Sequence, residues 1–118
     1  MTMNLKQIVE SLGLRVLVGG DLLDRMVSGG YVSDMLSDVL ANGTVDCLWI
    51  TRQSHQNVIA VASLLGLAGV ILVNCPEPAP ALVEKAKEEG VALLMYEGTT
   101  FELVGTMYEE GLRGCKRA

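Results

Sequence analysis

The run Asp24-Arg25-Met26-Val27-Ser28-Gly29-Gly30 combines an acid-base pair, a hydroxyl and two adjacent glycines. A guanidinium recognises carboxylate or phosphate through paired N–H donors, and glycines let backbone amides come close to an anion. Asp24, Arg25, Ser28, Gly29 and Gly30 are therefore candidate contacts for a small anionic ligand. The competing reading of Asp24 and Arg25 is an internal salt bridge or loop clasp, because folded loops commonly satisfy their own backbone in this way. The single histidine, His55, lies in a second polar run, Arg52-Gln53-Ser54-His55-Gln56-Asn57. It is a candidate for ligand contact, proton transfer or pH sensing, set against a plain role in anchoring its loop. Asn57 or Ser54 suits the N-cap of the helix that follows, and Asn57 is also a candidate contact. Thr100 completes the set, although Thr99 and Thr100 are helix caps before they are ligand contacts.

No catalytic set emerges from these residues. Ser28, His55 and Asp24 make a triad only if the fold brings them together. The lone histidine has no partners at metal-ligand spacing, and Cys47, Cys75 and Cys115 show no CxxC pattern. Neither a metal nor a cofactor is expected, and reduced, structural thiols are the default. Cys75, which follows a strand and precedes Pro76, is the one thiol placed for reactivity.

Positioning these groups requires a folded core, and the composition supplies one. Half of the 118 residues are apolar, enough for one domain with a sizeable interior. The apolar runs fall well short of the ~20 residues that span a bilayer, and no signal peptide is evident, so a soluble, cytoplasmic protein without membrane contact is expected. Residues 1–112 carry 14 acids against 6 bases, while Arg113, Lys116 and Arg117 form a basic tail. Nucleic acid is repelled by most of such a surface. The tail fits instead the negative end of a C-terminal helix.

Periodicity then gives the elements. Leu5, Ile8, Val9 and Leu12 make one face of a helix that Gly13 ends. Residues 14–18, 46–51, 69–73 and 91–95 read as buried strands. Between them fall a helix with Met35, Leu36, Val39 and Leu40 as its stripe, capped by Ser33 or Asp34, a helix over 58–65 that is apolar nearly all round, and a solvated helix over 81–89. A final helix follows the capping-box spacing Thr99-Thr100-Phe101-Glu102, with Phe101, Val104, Met107 and Tyr108 as its buried face. Val27 is a candidate for an extra short strand, and Trp49 and Tyr31 fit the core better than a stacking platform.

Helix followed by four strand-helix rounds predicts an α/β fold, a three-layer α/β/α sandwich around a mainly parallel sheet of four or five strands. Loops 19–30, 52–57 and 97–100 would then converge at the carboxyl edge of the sheet, where open α/β sheets collect ligands. The apolar helix over 58–65 needs cover on two sides, from within the chain or from a second subunit.

The run from Asp24 to Gly30 resembles the signature of the DRTGG domain, an Asp-Arg pair followed by Thr or Ser and two glycines. Gly19-Gly20-Asp21, Tyr31-Val32-Ser33-Asp34 and the Gln-Ser-His-Gln-Asn segment extend the resemblance over roughly residues 4–110. It implies a single DRTGG-like domain over residues 1–118, with its core at about 4–112 and a basic tail at 113–118. DRTGG domains occur alone, in phosphotransacetylases and among the CBS domains of regulated pyrophosphatases, and are similar to the N-terminal domain of HPr kinase/phosphorylase. Ser28 keeps the hydroxyl of the motif's threonine. The phosphate-binding loop GxxxxGK[ST] is missing, so kinase activity is not implied.

The resemblance thus implies a non-catalytic regulatory module. The expectation is a homodimer, built through the apolar helix or a nearby surface, that senses a small anionic metabolite or nucleotide and passes the signal to a protein partner. The alternative is a dimerisation or interaction scaffold with no small ligand. A small phosphoryl- or acyl-transfer enzyme is a third reading, which needs His55 close to a nucleophile.

Overall fold

The computed structural model describes residues 3–115. Strand β1 (Met3–Asn4) leads into helix α1 (Leu5–Leu12), where Asn4 and Gln7 form a reciprocal capping box and Gly13 closes the helix in the left-handed region. Strand β2 (Arg15–Val18) is followed by a single 3-10 turn at Gly20–Leu22 and by the short strand β3 (Met26–Val27), which pairs antiparallel with β1. The chain continues through β4 (Gly29–Val32), α2 (Leu36–Asn42), β5 (Cys47–Thr51), α3 (Gln56–Leu65), β6 (Gly69–Val73), α4 (Pro80–Glu89), β7 (Leu93–Tyr96) and α5 (Thr100–Glu109). Pro80 opens α4 at a position where its missing N–H costs nothing.

The main sheet has five strands in the order β2-β7-β6-β5-β4. Strands β4 to β7 are parallel, and β2 runs antiparallel along the outer edge of β7. Alternate residues of each central strand enter different cores, as the two-residue period of a strand requires. Cys47, Trp49, Val70 and Leu72 pack with Val39 of α2, Val58, Ile59 and Ala62 of α3, and Leu82 and Ala86 of α4. Leu48, Ile50, Ile71 and Val73 pack on the other face with Leu5 and Ile8 of α1 and Leu103 and Met107 of α5. The result is the expected three-layer sandwich, with three helices on one face and two on the other.

The apolar helix takes the first of its two possible covers, and two other expectations are corrected. Helix α3 lies between α2 and α4 on its face of the sheet, so most of its apolar surface is covered within the chain; Leu64 alone among its large apolar side chains is widely exposed, at 77%. In α5 the buried side chains are Leu103 and Met107, while Phe101, Val104 and Tyr108 point outward at 88%, 37% and 58% exposure. The helix carries two apolar stripes, and the sheet can take only one. At α2, the N-cap Met35 and Leu40 within the helix are likewise exposed, and Val39 is its one fully buried residue.

The thiols also depart from expectation. Cys47 and Cys115 are joined in a disulfide, leaving Cys75 free. The sequence separation of 68 hides a contact that exists only because the chain end returns to the first residue of β5.

Candidate functional site

The direction of β2 decides where the glycine-rich loop lies. Because β2 is antiparallel to β7, its last residue, Val18, pairs with Leu93 at the start of β7. At the other edge Gly29 pairs with Cys47, the first residue of β5. The segment 19–28 therefore crosses beneath the amino ends of the parallel strands, and does not reach the carboxyl edge. The three loops do not converge. Gly19, at φ 101°, passes so close that an added Cβ would lie 2.9 Å from the Ala92 backbone.

On that amino side Arg25 acts as a clasp, and its partner is Asp46, not Asp24. Its Nε and Nη2 donate to Asp46 Oδ1 at 3.3 and 3.2 Å, and Nη2 also donates to the Gly66 carbonyl at 2.5 Å. Ser28 adds a backbone N–H to the Asp46 carbonyl and a hydroxyl to the Val45 carbonyl, while Asp24 is exposed. Together these bonds join the loop to the turns before β5 and after α3. Arg25→Ala is expected to lower unfolding stability by about 1 kcal/mol, discounted for a side chain one third exposed, with the change read by denaturant titration. Arg25→Lys should recover only part of it, since one ammonium lacks the fork that reaches both acceptors.

Gly29 and Gly30 face the chain's own end. Gly30 N–H donates to the Arg113 carbonyl at 2.9 Å and Cys115 N–H donates to the Gly30 carbonyl at 3.0 Å, so Gly114 pairs in parallel with Gly30 along the outer edge of β4. A Cβ on Gly29 would stand 2.4 Å from the Arg113 carbonyl oxygen. Arg113 donates to the Tyr108 and Leu112 carbonyls and stacks 3.8 Å from the centre of the Tyr108 ring, as expected of a basic residue at a helix end. Lys116 and Arg117 lie outside the described residues. Gly30, Ile50, Met107, Leu112 and Gly114 line an apolar cavity of about 290 Å³ beneath this segment.

The carboxyl edge gathers the remaining candidates. His55, not Asn57 or Ser54, is the N-cap of α3, its Nδ1 accepting from Asn57 N–H at 3.1 Å. Both side chains are exposed. Thr100 is the first residue of α5, behind the N-cap Thr99, whose hydroxyl accepts from Glu102 N–H. Sequence reasoning missed the groups that organise this edge. Asp34 Oδ1 accepts from the Thr51 hydroxyl at 2.7 Å and from Arg52 N–H at 2.8 Å, and Gln53 donates to the Asp34 carbonyl at 2.6 Å. Asp34 is thus a brace between β4 and β5 and not the cap of α2, which starts from Met35 with no side-chain cap bond. Arg52 is exposed, and its one side-chain hydrogen bond among the described residues runs from Nε to the Asn74 carbonyl at 3.3 Å.

Ser28 and His55 sit at opposite ends of the parallel strands, so Ser28, His55 and Asp24 do not form a triad. Burial pushes the Cys75 thiol above its ordinary value, Arg52 opposes the shift and Glu77 adds to it. A raised pKa leaves less thiolate at pH 8, so alkylation of Cys75 by iodoacetamide is expected to be slower than that of a free model thiol. Its pH-rate profile should rise later than the model's. Among the described residues no group of three His, Cys, Asp or Glu side chains is arranged to hold a metal ion, and no helix is long and apolar enough to cross a membrane.

No family model matches the chain. Its fold is similar to that of the CBS and DRTGG domains of the regulatory region of Clostridium perfringens pyrophosphatase, solved in complex with its activator diadenosine tetraphosphate. The TM-score is 0.65 at 13% sequence identity, over 88% of this chain and 47% of the other. The chain thus spans about half the length of that structure. Identity at this level shows a shared, DRTGG-like fold.

Proposed function

We propose that this chain is a single DRTGG-like domain and a non-catalytic regulatory module, cytoplasmic and homodimeric, that senses a small anionic metabolite or nucleotide. The observation that carries this reading is the Asp24 to Gly30 signature on a fold similar to a regulatory region whose own activator is a nucleotide. Of the candidate contacts, His55, Asn57 and Thr100 stand at the carboxyl edge, where Arg52 adds an exposed cation and the ten-residue helix α3 presents its amino end. Asp24, Arg25, Ser28, Gly29 and Gly30 shape the opposite side, with Arg25 already engaged by Asp46 and Gly66. The ligand reading therefore centres on Arg52, His55 and Asn57.

Thermal melting at fixed protein concentration against nucleotides, phosphate esters and acidic metabolites tests the proposal. A ligand at a hundred times its Kd adds about 2.7 kcal/mol, a shift of several degrees. The shift should vanish in Arg52→Ala and persist in Arg25→Ala. Loss in Arg25→Ala alone would return the site to the glycine-rich loop.

Flat melting across the panel would favour the scaffold reading, which has its own supporting observation. Val32, Phe101, Val104 and Tyr108 form an exposed apolar surface on the outside of β4 and α5. This surface, and not α3, is the proposed dimer face, so Phe101→Ser should shift sedimentation toward the monomer.

A further inference from the structure

We propose that the Cys47–Cys115 disulfide is a redox-controlled staple whose reduction frees the C-terminal segment 113–115 from the edge of β4. The segment is held by two backbone hydrogen bonds to Gly30 of β4 and by this one covalent bond to Cys47 of the neighbouring β5. Cys47 is fully enclosed as the first residue of a central strand, whereas Cys115 lies at the outer edge and retains 8% of its surface. A single bridge at the edge of a sheet is held weakly by its own hydrogen bonds, because they lie next to water and little apolar surface is buried with them. A cross-link spanning 68 residues supplies the constraint that these bonds lack.

The chemistry is thiol-disulfide exchange with a dithiol reductant. Its thiolate attacks the Cys115 sulfur, the less enclosed of the two, and the Cys47–Cys115 bond breaks as Cys47 leaves as a thiolate and takes up a proton. The reductant's second thiol then closes on the mixed disulfide and releases Cys115 as a thiol. The protein gains two electrons and two protons, and the dithiol becomes a disulfide. In a reducing compartment such a bond is a transient, signalling element more often than a permanent one.

Release has structural consequences confined to one edge. The Gly30 N–H and C=O lose their partners, the outer side of β4 opens, and the apolar cavity loses the wall formed by Gly114. Arg113 retains its bonds to the Tyr108 and Leu112 carbonyls, so the segment swings from the end of α5 without unravelling the helix. The close packing at Gly29 belongs to the same device, since a side chain there would exclude the segment even when oxidised.

The test uses the full chain, oxidised with glutathione disulfide or reduced with dithiothreitol. Thiol titration after denaturation should find one thiol in the oxidised protein, Cys75, and three in the reduced one. Amide hydrogen exchange at Gly30 should accelerate at least tenfold on reduction, while Ile71 in the central strand β6 stays unchanged. Cys115→Ser should show the fast Gly30 exchange with or without reductant, which assigns the effect to this bond and not to Cys75. Three thiols after oxidation would overturn the proposal, as would Gly30 exchange indifferent to reduction. So would equal acceleration at Gly30 and Ile71, which marks loss of global stability and not local release.

Discussion

Gly29→Ala is expected to destabilise the domain by about 1–3 kcal/mol, the usual cost of forcing extra volume into a packed site. The added Cβ would meet the Arg113 carbonyl oxygen at 2.4 Å and both Cβ and N of Cys115 at 3.3 Å. Backbone atoms cannot turn aside as a side chain can, so relief requires the C-terminal segment to move away from β4. Denaturant titration should report the lost stability, and proteolysis near the chain end should report the displaced segment. Gly30→Ala is the control. Its Cβ would meet the Met107 methyl at 3.3 Å, the far end of a flexible side chain, and should cost much less. Equal costs at the two positions would mean that the segment does not lie against Gly29.

Asp34→Ala should cost a similar amount, about 1–3 kcal/mol, for a different reason. Thr51 is only 1% exposed, and its hydroxyl gives its proton to Asp34 Oδ1. Truncation leaves that hydroxyl's proton without its acceptor, although Thr51 Oγ1 still accepts from Gln53 N–H. It also removes the acceptor for Arg52 N–H, so the loop at 52–55 keeps the Gln53 bond to the Asp34 carbonyl but loses its tie to the Asp34 side chain. Asp34→Asn keeps an oxygen at the same place and should recover most of the loss. A calorimetric melt of the three proteins separates these outcomes, and any ligand affinity that depends on Arg52 should weaken in Asp34→Ala before it does in Asp34→Asn.

Both effects come from contacts that link distant parts of the chain, and this is where the sequence stops being legible. Helix α1 with its stripe and Gly13, α4 behind Pro80, and the four apolar strands could all be read in order, because periodicity, caps and breakers act within a few residues. The parallel sheet also followed, since strands separated by helices need crossovers and become buried on both faces. Val27 does join an extra strand, as its place between Met26 and Ser28 allowed.

The choice between two plausible apolar stripes on α5 was different. Phe101, Val104 and Tyr108 repeat as regularly as Leu103 and Met107, and only the place of α5 beside α1 on the sheet buries the second set. Likewise no local rule distinguishes Asp24 from Asp46 as the partner of Arg25, or Asp34 as a cap from Asp34 as a brace for Thr51.

What the sequence determined by itself was therefore the helices, four of the five strands of the main sheet, their class and the residues polar enough to form a site. Strand β4 was hidden at the end of what read as a glycine-rich loop. The tertiary structure decided which of those residues share a location. Reversal of one edge strand, β2, carries the glycine-rich loop to the amino side of the sheet while His55 and Asn57 stay on the carboxyl side. Strand direction is set by how both faces of the whole sheet are covered, a long-range sum of packing terms that no window of neighbouring residues contains. The same reason brings Cys115 to Cys47, because a contact across a separation of 68 depends on how everything between them packs.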